Sequence, residues 1–410
     1  MSVSRYLLVA WVALLGADQI DLLGGEADFV LTPFLVLTPL YLVFETVVMA
    51  VQRKRLAVPP ATAAYCLVLL VFVSLVLVST LLGMDILMSA RRSLLLLALC
   101  GGTFLVAVFA IGRPGLGPAL ALGAELGLGL AVLFSVAQVV AFFSPGPDVL
   151  RVGPVSIGLE PMVYAGIIPR LTGQVADANR AGLLFLFYLF ALVQWGTPGA
   201  RRTSWIIVGS VLILLTLSRS AILAAMSVGL VAALSHGGGR ISRGAALTTS
   251  CGVGVITALL LISPNLRTDI GRALEPLGTR FSLEDDSARA HARLLDRGVR
   301  EATVSVRRAA LGVGYGNSFL LLQDMFPGNK YGNFHSLYVT VMVESGIFAL
   351  MSSLVLLGVP LVRGAQLRPM VAGLLVFNLF YQTPAEPLFW FVLALAWLSL
   401  PPFRLARNDG

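Results

Sequence analysis

Charge is what this sequence has least of. Only 12% of its 410 residues are charged, 57% are hydrophobic, and the mean hydropathy is +0.89. A soluble domain carries about twice that charged fraction, so a soluble globular enzyme is excluded. Histidine is scarcer still, with three residues at His236, His291 and His335. Cysteine is equally rare, and Cys66, Cys100 and Cys251 all fall inside apolar runs. With no paired spacing and no metal motif, they read as small buried hydrophobes, which rules out a disulfide framework or a zinc-ribbon design. Lysine is nearly absent, Lys54 and Lys330 being the only two beside the arginines. Such an excess follows from a GC-rich genome as readily as from a demand for guanidinium chemistry, and decides nothing.

What the sequence has in abundance is apolar runs of the length needed to cross a bilayer, about 17–25 residues for roughly 30 Å of hydrocarbon. They fall near 6–23, 28–51, 61–83, 93–111, 118–143, 180–196, 199–217, 219–235, 244–262, 336–361, 369–383 and 387–402. The fold class expected is an all-α polytopic membrane protein with about twelve transmembrane helices. In sequence order the chain divides into spans one to nine over 1–262, a long polar loop over 263–334, and three further spans with a tail over 335–410. The first run holds Asp18 and Asp21 and lacks a small-residue cleavage site, so it reads as the first span, or as half of a hairpin with the second, and not as a signal peptide. No internal repeat is visible, which disfavours a transporter of the inverted-repeat kind.

Orientation turns on one ambiguous stretch. "SWIIVGSVLILLTLSRSAILAAMSVGLVAALS", residues 204–235, is long for one span and slightly short for two. If it is two, with Arg219 at the turn, the basic clusters Arg53-Lys54-Arg55, Arg113, Arg201-Arg202, Arg240 with Arg243, Arg363 with Arg368, and Arg404 with Arg407 share one face with Arg5. If it is one, they split between faces. The positive-inside rule therefore favours two spans and cytoplasmic termini. The loops 144–179 and 263–334, the turn at Arg219 and the turn at Glu386 then lie on the opposite side.

The loop 263–334 contains "SARAHARLLDRGVREATVSVRRAA". Arg289, Arg293, Arg297 and Arg300 recur at 4, 4 and 3 residues, which puts them within about 80° on one helical face. Ala288, Leu295, Val299, Ala302 and Val306 cluster elsewhere, so an amphipathic helix is expected. Its arginines suit either anionic lipid head groups or a phosphate, to which guanidinium donates paired hydrogen bonds. The acidic run Glu284–Asp286 complements a helix N-terminus more simply than it forms a metal site, and no metal is expected. "LGVGYGNSF", Leu311 to Phe319, lacks the lysine of a phosphate-binding P-loop and follows no strand. A tight turn back to the membrane accounts for it.

Three segments, in order, carry a resemblance. "LLTLSRSAILAA" (214–225), "DDSARAHARLLDRGVREA" followed by "LGVGYGNSF", and "FHSLYVTVMVESGIFALM" (334–351) resemble the motifs of the O-antigen ligase and O-antigen polymerase superfamily of bacterial membrane glycosyltransferases. The resemblance covers about Ser204–Ser352. In the last motif His335 opens a span and Glu344 and Gly346 follow, although Ser336 stands where the family usually has asparagine. "ADANRAGLLF" (176–185) resembles a family segment more loosely.

The resemblance implies a GT-C-like enzyme of the bacterial cytoplasmic membrane, acting on its outer face. It would transfer a glycan from a polyprenyl-pyrophosphate carrier to a hydroxyl of a lipid- or glycan-linked acceptor, without metal or other cofactor. Membrane lipids are expected partners, and nucleic acid is not. An arginine among apolar spans costs at least about 2.5–3.5 kcal/mol if unpaired, so Arg219 with Arg289 would hold the pyrophosphate and stabilise its developing charge. His335 would be the general base, since an ordinary imidazole titrates near pH ~6.5. Arg293, Glu344 and Glu386 are possible accessories. The competing class is a transporter or flippase for a lipid-linked saccharide, which needs cationic residues in a cavity but no base.

Overall fold

The computed structural model describes residues 3–24, 30–53, 56, 58–111, 113, 115–144, 149–160, 162–164, 168–235, 286–329, 332–364 and 366–401. The expected span 244–262, most of the loop before residue 286, His236, Cys251, Glu284 and Asp285 lie outside the described residues. Among the described residues thirteen helices follow one another: α1 (Val3–Ala13), α2 (Pro33–Val51), α3 (Thr62–Leu81), α4 (Ile86–Ile111), α5 (Leu116–Phe143), α6 (Ala178–Trp195), α7 (Ala200–Leu215), α8 (Arg219–Leu234), α9 (Asp286–Thr303), α10 (Val306–Leu311), α11 (Leu337–Arg363), α12 (Arg368–Phe377) and α13 (Pro387–Leu398). Five short strands accompany them: β1 (Ile20–Asp21), β2 (Val149–Val152), β3 (Val155–Gly158), β4 (Met162–Tyr164) and β5 (Ile168–Arg170).

Six helices, α2 to α6 and α11, are long and apolar enough to cross a membrane by themselves, which makes this a predominantly helical integral membrane protein. The first apolar run departs from a full span. α1 stops at Ala13, because Gly16 turns at φ 82° and the two aspartates are used for local structure. Asp18 pairs with Arg180 at 2.5 Å, and Asp21 accepts the backbone N–H groups of Leu23 and Leu31.

The chain forms two compact units that do not follow sequence order: Met1–Leu56 with Gly112–Phe281, and Ala57–Ile111 with Ser282–Gly410. In the first unit α6 is central. Beyond its first turn it is apolar all round and buried from Ala181 to Leu192, as a helix enclosed by others must be. α5, α7 and α8 pack on it, and α1 packs on α5. The Tyr188 hydroxyl on α6 donates to the carbonyls of Val12 and Ala13, satisfying the open end of α1. Glu45, fully buried on α2, is neutralised by Arg113 and receives the Ser4 hydroxyl. The loop that follows α5 forms strands the hydropathy pattern did not announce: β2 and β3, which β1 joins in an antiparallel sheet ordered β1-β3-β2 with Ile20 opposite Ile157, and a β4–β5 hairpin with Val163 opposite Pro169.

In the second unit α13 is buried along its whole length against α4. α11 contacts α3, α9, α10, α12 and α13, and the candidate site is built around it.

Candidate active site

α11 is not continuous. At Gly346 the backbone takes φ 84°, ψ 175°, a conformation open essentially to glycine alone. Carbonyls just before the break therefore face outward from the helix, and a second segment meets them. Val313 N–H donates to Val343 O at 3.0 Å, Gly314 N–H donates to Glu344 O at 3.0 Å, and the Ser79 hydroxyl also donates to Glu344 O. Irregular backbone at membrane depth survives only where protein satisfies it, and the loop "LGVGYGNSF" is that protein. Its glycines take φ 74° at Gly312, 106° at Gly314 and 78° at Gly316. A Cβ on Gly312 would lie 2.2 Å from Glu344 O. The turn expected from the sequence is thus a plug, wedged against a broken helix.

Glu344 sits at the break and is buried. Its Oε1 accepts the Ser318 hydroxyl at 2.5 Å and the Ser318 N–H at 3.3 Å, with the Gly316 N–H also directed to the carboxylate. Arg92 of α4 donates to Gly316 O and lies over the Phe319 ring, 5.2 Å from its centroid. Burial, and next the Glu344 carboxylate, push the phenol of Tyr315 above its ordinary range. Neither Arg92 nor Ser318 stood out in the sequence, because nothing along the chain links α4 to the glycine loop.

His335 stands at the mouth of α11 with φ 51°, left-handed for a non-glycine residue. Asn333 imposes this turn, its Oδ1 accepting the His335 N–H at 2.8 Å. The flanking residues are fixed as well: Phe334 is fully buried, and the Ser336 hydroxyl donates to Asn378 O at 3.4 Å. Leu337 N–H reaches Asn378 O and Tyr381 O, which ties the segment leading to Glu386 against the start of α11. Glu386 begins α13 and makes no side-chain cap there. The His335 ring stacks on His291 of α9, with centroids 4.6 Å apart and planes 23° from parallel. The sequence left His291 aside as lying off the arginine stripe.

Placement of α9 explains that pairing. Leu294, Gly298 and Ala302, spaced by four, are its buried face. A Cβ on Gly298 would meet Val339 at 2.3 Å and Phe334 at 2.9 Å. This corrects the expected apolar face, since Val299 is 47% and Val306 87% exposed. At 100° per residue the arginine stripe falls opposite to this buried face, and Arg289, Arg293 and Arg300 are exposed. Two of its members are partly neutralised: Arg297 pairs with Glu301 at 3.0 Å and Asp324 at 3.7 Å, and Arg300 with Asp296.

In the first unit the ambiguous 32-residue run divides as expected into α7 and α8, broken at Thr216–Ser218 with Leu217 at φ 50°. Ser218 caps α8 by accepting the Ala221 N–H, and its hydroxyl donates to Asn179 Oδ1 at 2.8 Å. Asn179 belongs to the "ADANR" segment, where Asp177 caps α6. Buried Arg170 donates to Thr216 O at 2.9 Å and approaches Asn179 Oδ1 at 3.5 Å. Arg219 is thereby the first residue of α8, half-buried, at the electropositive end of a helix. A cation there is unfavourable for the helix but adds to the N–H donors that make a helix start an anion site.

Among the described residues no cluster of three His, Cys, Asp or Glu is gathered as for a metal. Residues 204–354 match the family model described as O-antigen ligase. No curated protein matches the chain.

Proposed function

From the match of residues 204–354 to the family model described as O-antigen ligase, we propose that this chain is a member of the O-antigen ligase and polymerase superfamily and transfers a glycan from a polyprenyl-pyrophosphate carrier to an acceptor hydroxyl. The reaction takes place on the outer face of the bacterial cytoplasmic membrane, with both termini in the cytoplasm. The acceptor is a lipid-linked core, as for a ligase, or a growing glycan, as for a polymerase.

One observation carries the proposal. Of the three non-glycine residues with positive φ among the described residues, Leu217 and His335 fall inside the matched segment, at the start of α8 and of α11. Such backbone costs on the order of 1–3 kcal/mol and concentrates where function needs a fixed side chain.

Arg219 and Arg289, assisted by Arg293, are assigned to the pyrophosphate as cationic donors, and His335 is assigned to accept the proton of the acceptor hydroxyl. The hydroxyl oxygen bonds to the anomeric carbon while the bond from that carbon to the phosphate oxygen breaks, and the electron pair leaves with the carrier pyrophosphate. Glu344 is a structural accessory, holding the glycine loop through Ser318, and Glu386 positions the acceptor. Arginines take the place of a divalent cation, so transfer persists in EDTA.

The test is reconstitution in proteoliposomes with purified carrier-linked oligosaccharide and acceptor. Transfer that is lost in both His335→Ala and Arg219→Ala supports the proposal. Movement of carrier across the bilayer without any transfer overturns it in favour of a flippase.

A further inference from the structure

His335 has its backbone fixed three ways: by the Asn333 turn, by buried Phe334 before it, and by the Asn378 contacts after it. What the backbone does not fix is the ring, because the second side-chain torsion of histidine has a broad, two-fold preference. A general base must bring one nitrogen within hydrogen-bond reach of the proton it takes, so the plane in which the ring is held matters to its work.

We propose that His291 is a positioning residue for His335, the flat platform that sets the plane of the catalytic imidazole. The inference rests on the assignment of His335 as base. The rings lie nearly parallel with centroids 4.6 Å apart. A stacked neighbour acts on the face of the ring and not on its in-plane nitrogens, so it restrains rotation without competing with the proton transfer. His291 is delivered to this place by helix packing. It lies seven residues before Gly298, hence within about 20° of it around α9. Gly298 packs so tightly on Phe334 and Val339, residues on either side of the His335 turn, that a Cβ there would overlap both. The same docked face that buries Leu294 and Ala302 therefore lays His291 on His335, while the arginines occupy the opposite face. One helix thus presents cationic donors on one side and orients the base on the other.

The test is steady-state kinetics of transfer in proteoliposomes, with a purified polyprenyl-pyrophosphate oligosaccharide as donor. Displacements of about 1 Å in a reacting group cost up to about 10²-fold. His291→Ala is expected to lower kcat by about 10- to 100-fold with KM for the carrier unchanged. His291→Phe keeps a flat face and should recover most of kcat, whereas His291→Leu fills similar space without one and should not. Wild-type kcat in His291→Ala, or equal rates for the phenylalanine and leucine variants, overturns the proposal. His335→Ala run alongside separates the two assignments. Loss of transfer in His335→Ala with normal His291→Ala removes only the platform, and normal transfer in His335→Ala removes the base assignment and the platform with it.

Discussion

Replacing Gly346 with alanine tests the architecture most directly. A Cβ at this position would sit 2.1 Å from Ala310 O, 2.4 Å from Ala310 C and 2.7 Å from Leu311 N. All three are backbone atoms, so no side-chain rotation relieves the overlap. The conformation itself, φ 84° with ψ 175°, costs a non-glycine residue about 1–3 kcal/mol. Moving α10 away would pull the glycine loop off α11 and open the bonds Val313 N–H to Val343 O and Gly314 N–H to Glu344 O. Each buried pair left unsatisfied costs about 1–3 kcal/mol, for a combined penalty of about 3–9 kcal/mol. For a unit of this size that lowers Tm by at least about 6 °C. Gly358→Ala is the control, because a Cβ there has nothing within 4 Å on the same helix. Thermal unfolding of both variants in detergent, with transfer measured in parallel, is the assay. A Gly346→Ala protein with the Tm and activity of Gly358→Ala would refute the broken-helix account.

Arg219→Ala should lose most transfer and weaken carrier binding, while Arg219→Lys restores only part, since lysine keeps the charge without the planar fork; equal rates for the two variants contradict the phosphate role. Asn179→Ala removes the acceptor shared by Ser218 and Arg170, so stability should fall by about 1–3 kcal/mol, read as a lowered Tm. Glu344→Gln keeps an acceptor for Ser318 and should be mild, whereas Glu344→Leu strands the Ser318 donors and should cost about 1–3 kcal/mol. For the base, kcat/KM should rise with pH through the imidazole ionisation, because only the neutral ring accepts a proton. The profile of the residual activity in His335→Ala should lack that limb, and a limb that persists assigns it to another group.

Sequence by itself determined the helices. Apolar length gave a membrane protein, and the helix ends follow local chemistry: Asp177 and Ser218 cap the helices they begin. The break at Arg219, the helix carrying Arg289 and Arg293, and the exceptional position of His335 were legible for the same reason, since helical periodicity, capping and charge spacing are properties of near neighbours along the chain. Gly346 was visible as a motif residue, but its meaning was not. A glycine inside an apolar run has no signature that separates a helix break from an ordinary small residue such as Gly358. Only the tertiary structure decided which face of α9 is buried, because Leu294 and Leu295 are equally apolar and it is Gly298, with no side chain, that lets the helix approach Val339. Only packing brought His291 onto His335, Arg92 onto the glycine loop, and Asn179 under Ser218. It also regrouped α3 and α4 with the C-terminal helices. Contacts of that kind depend on which surfaces bury one another, a property of the folded chain that no local pattern encodes.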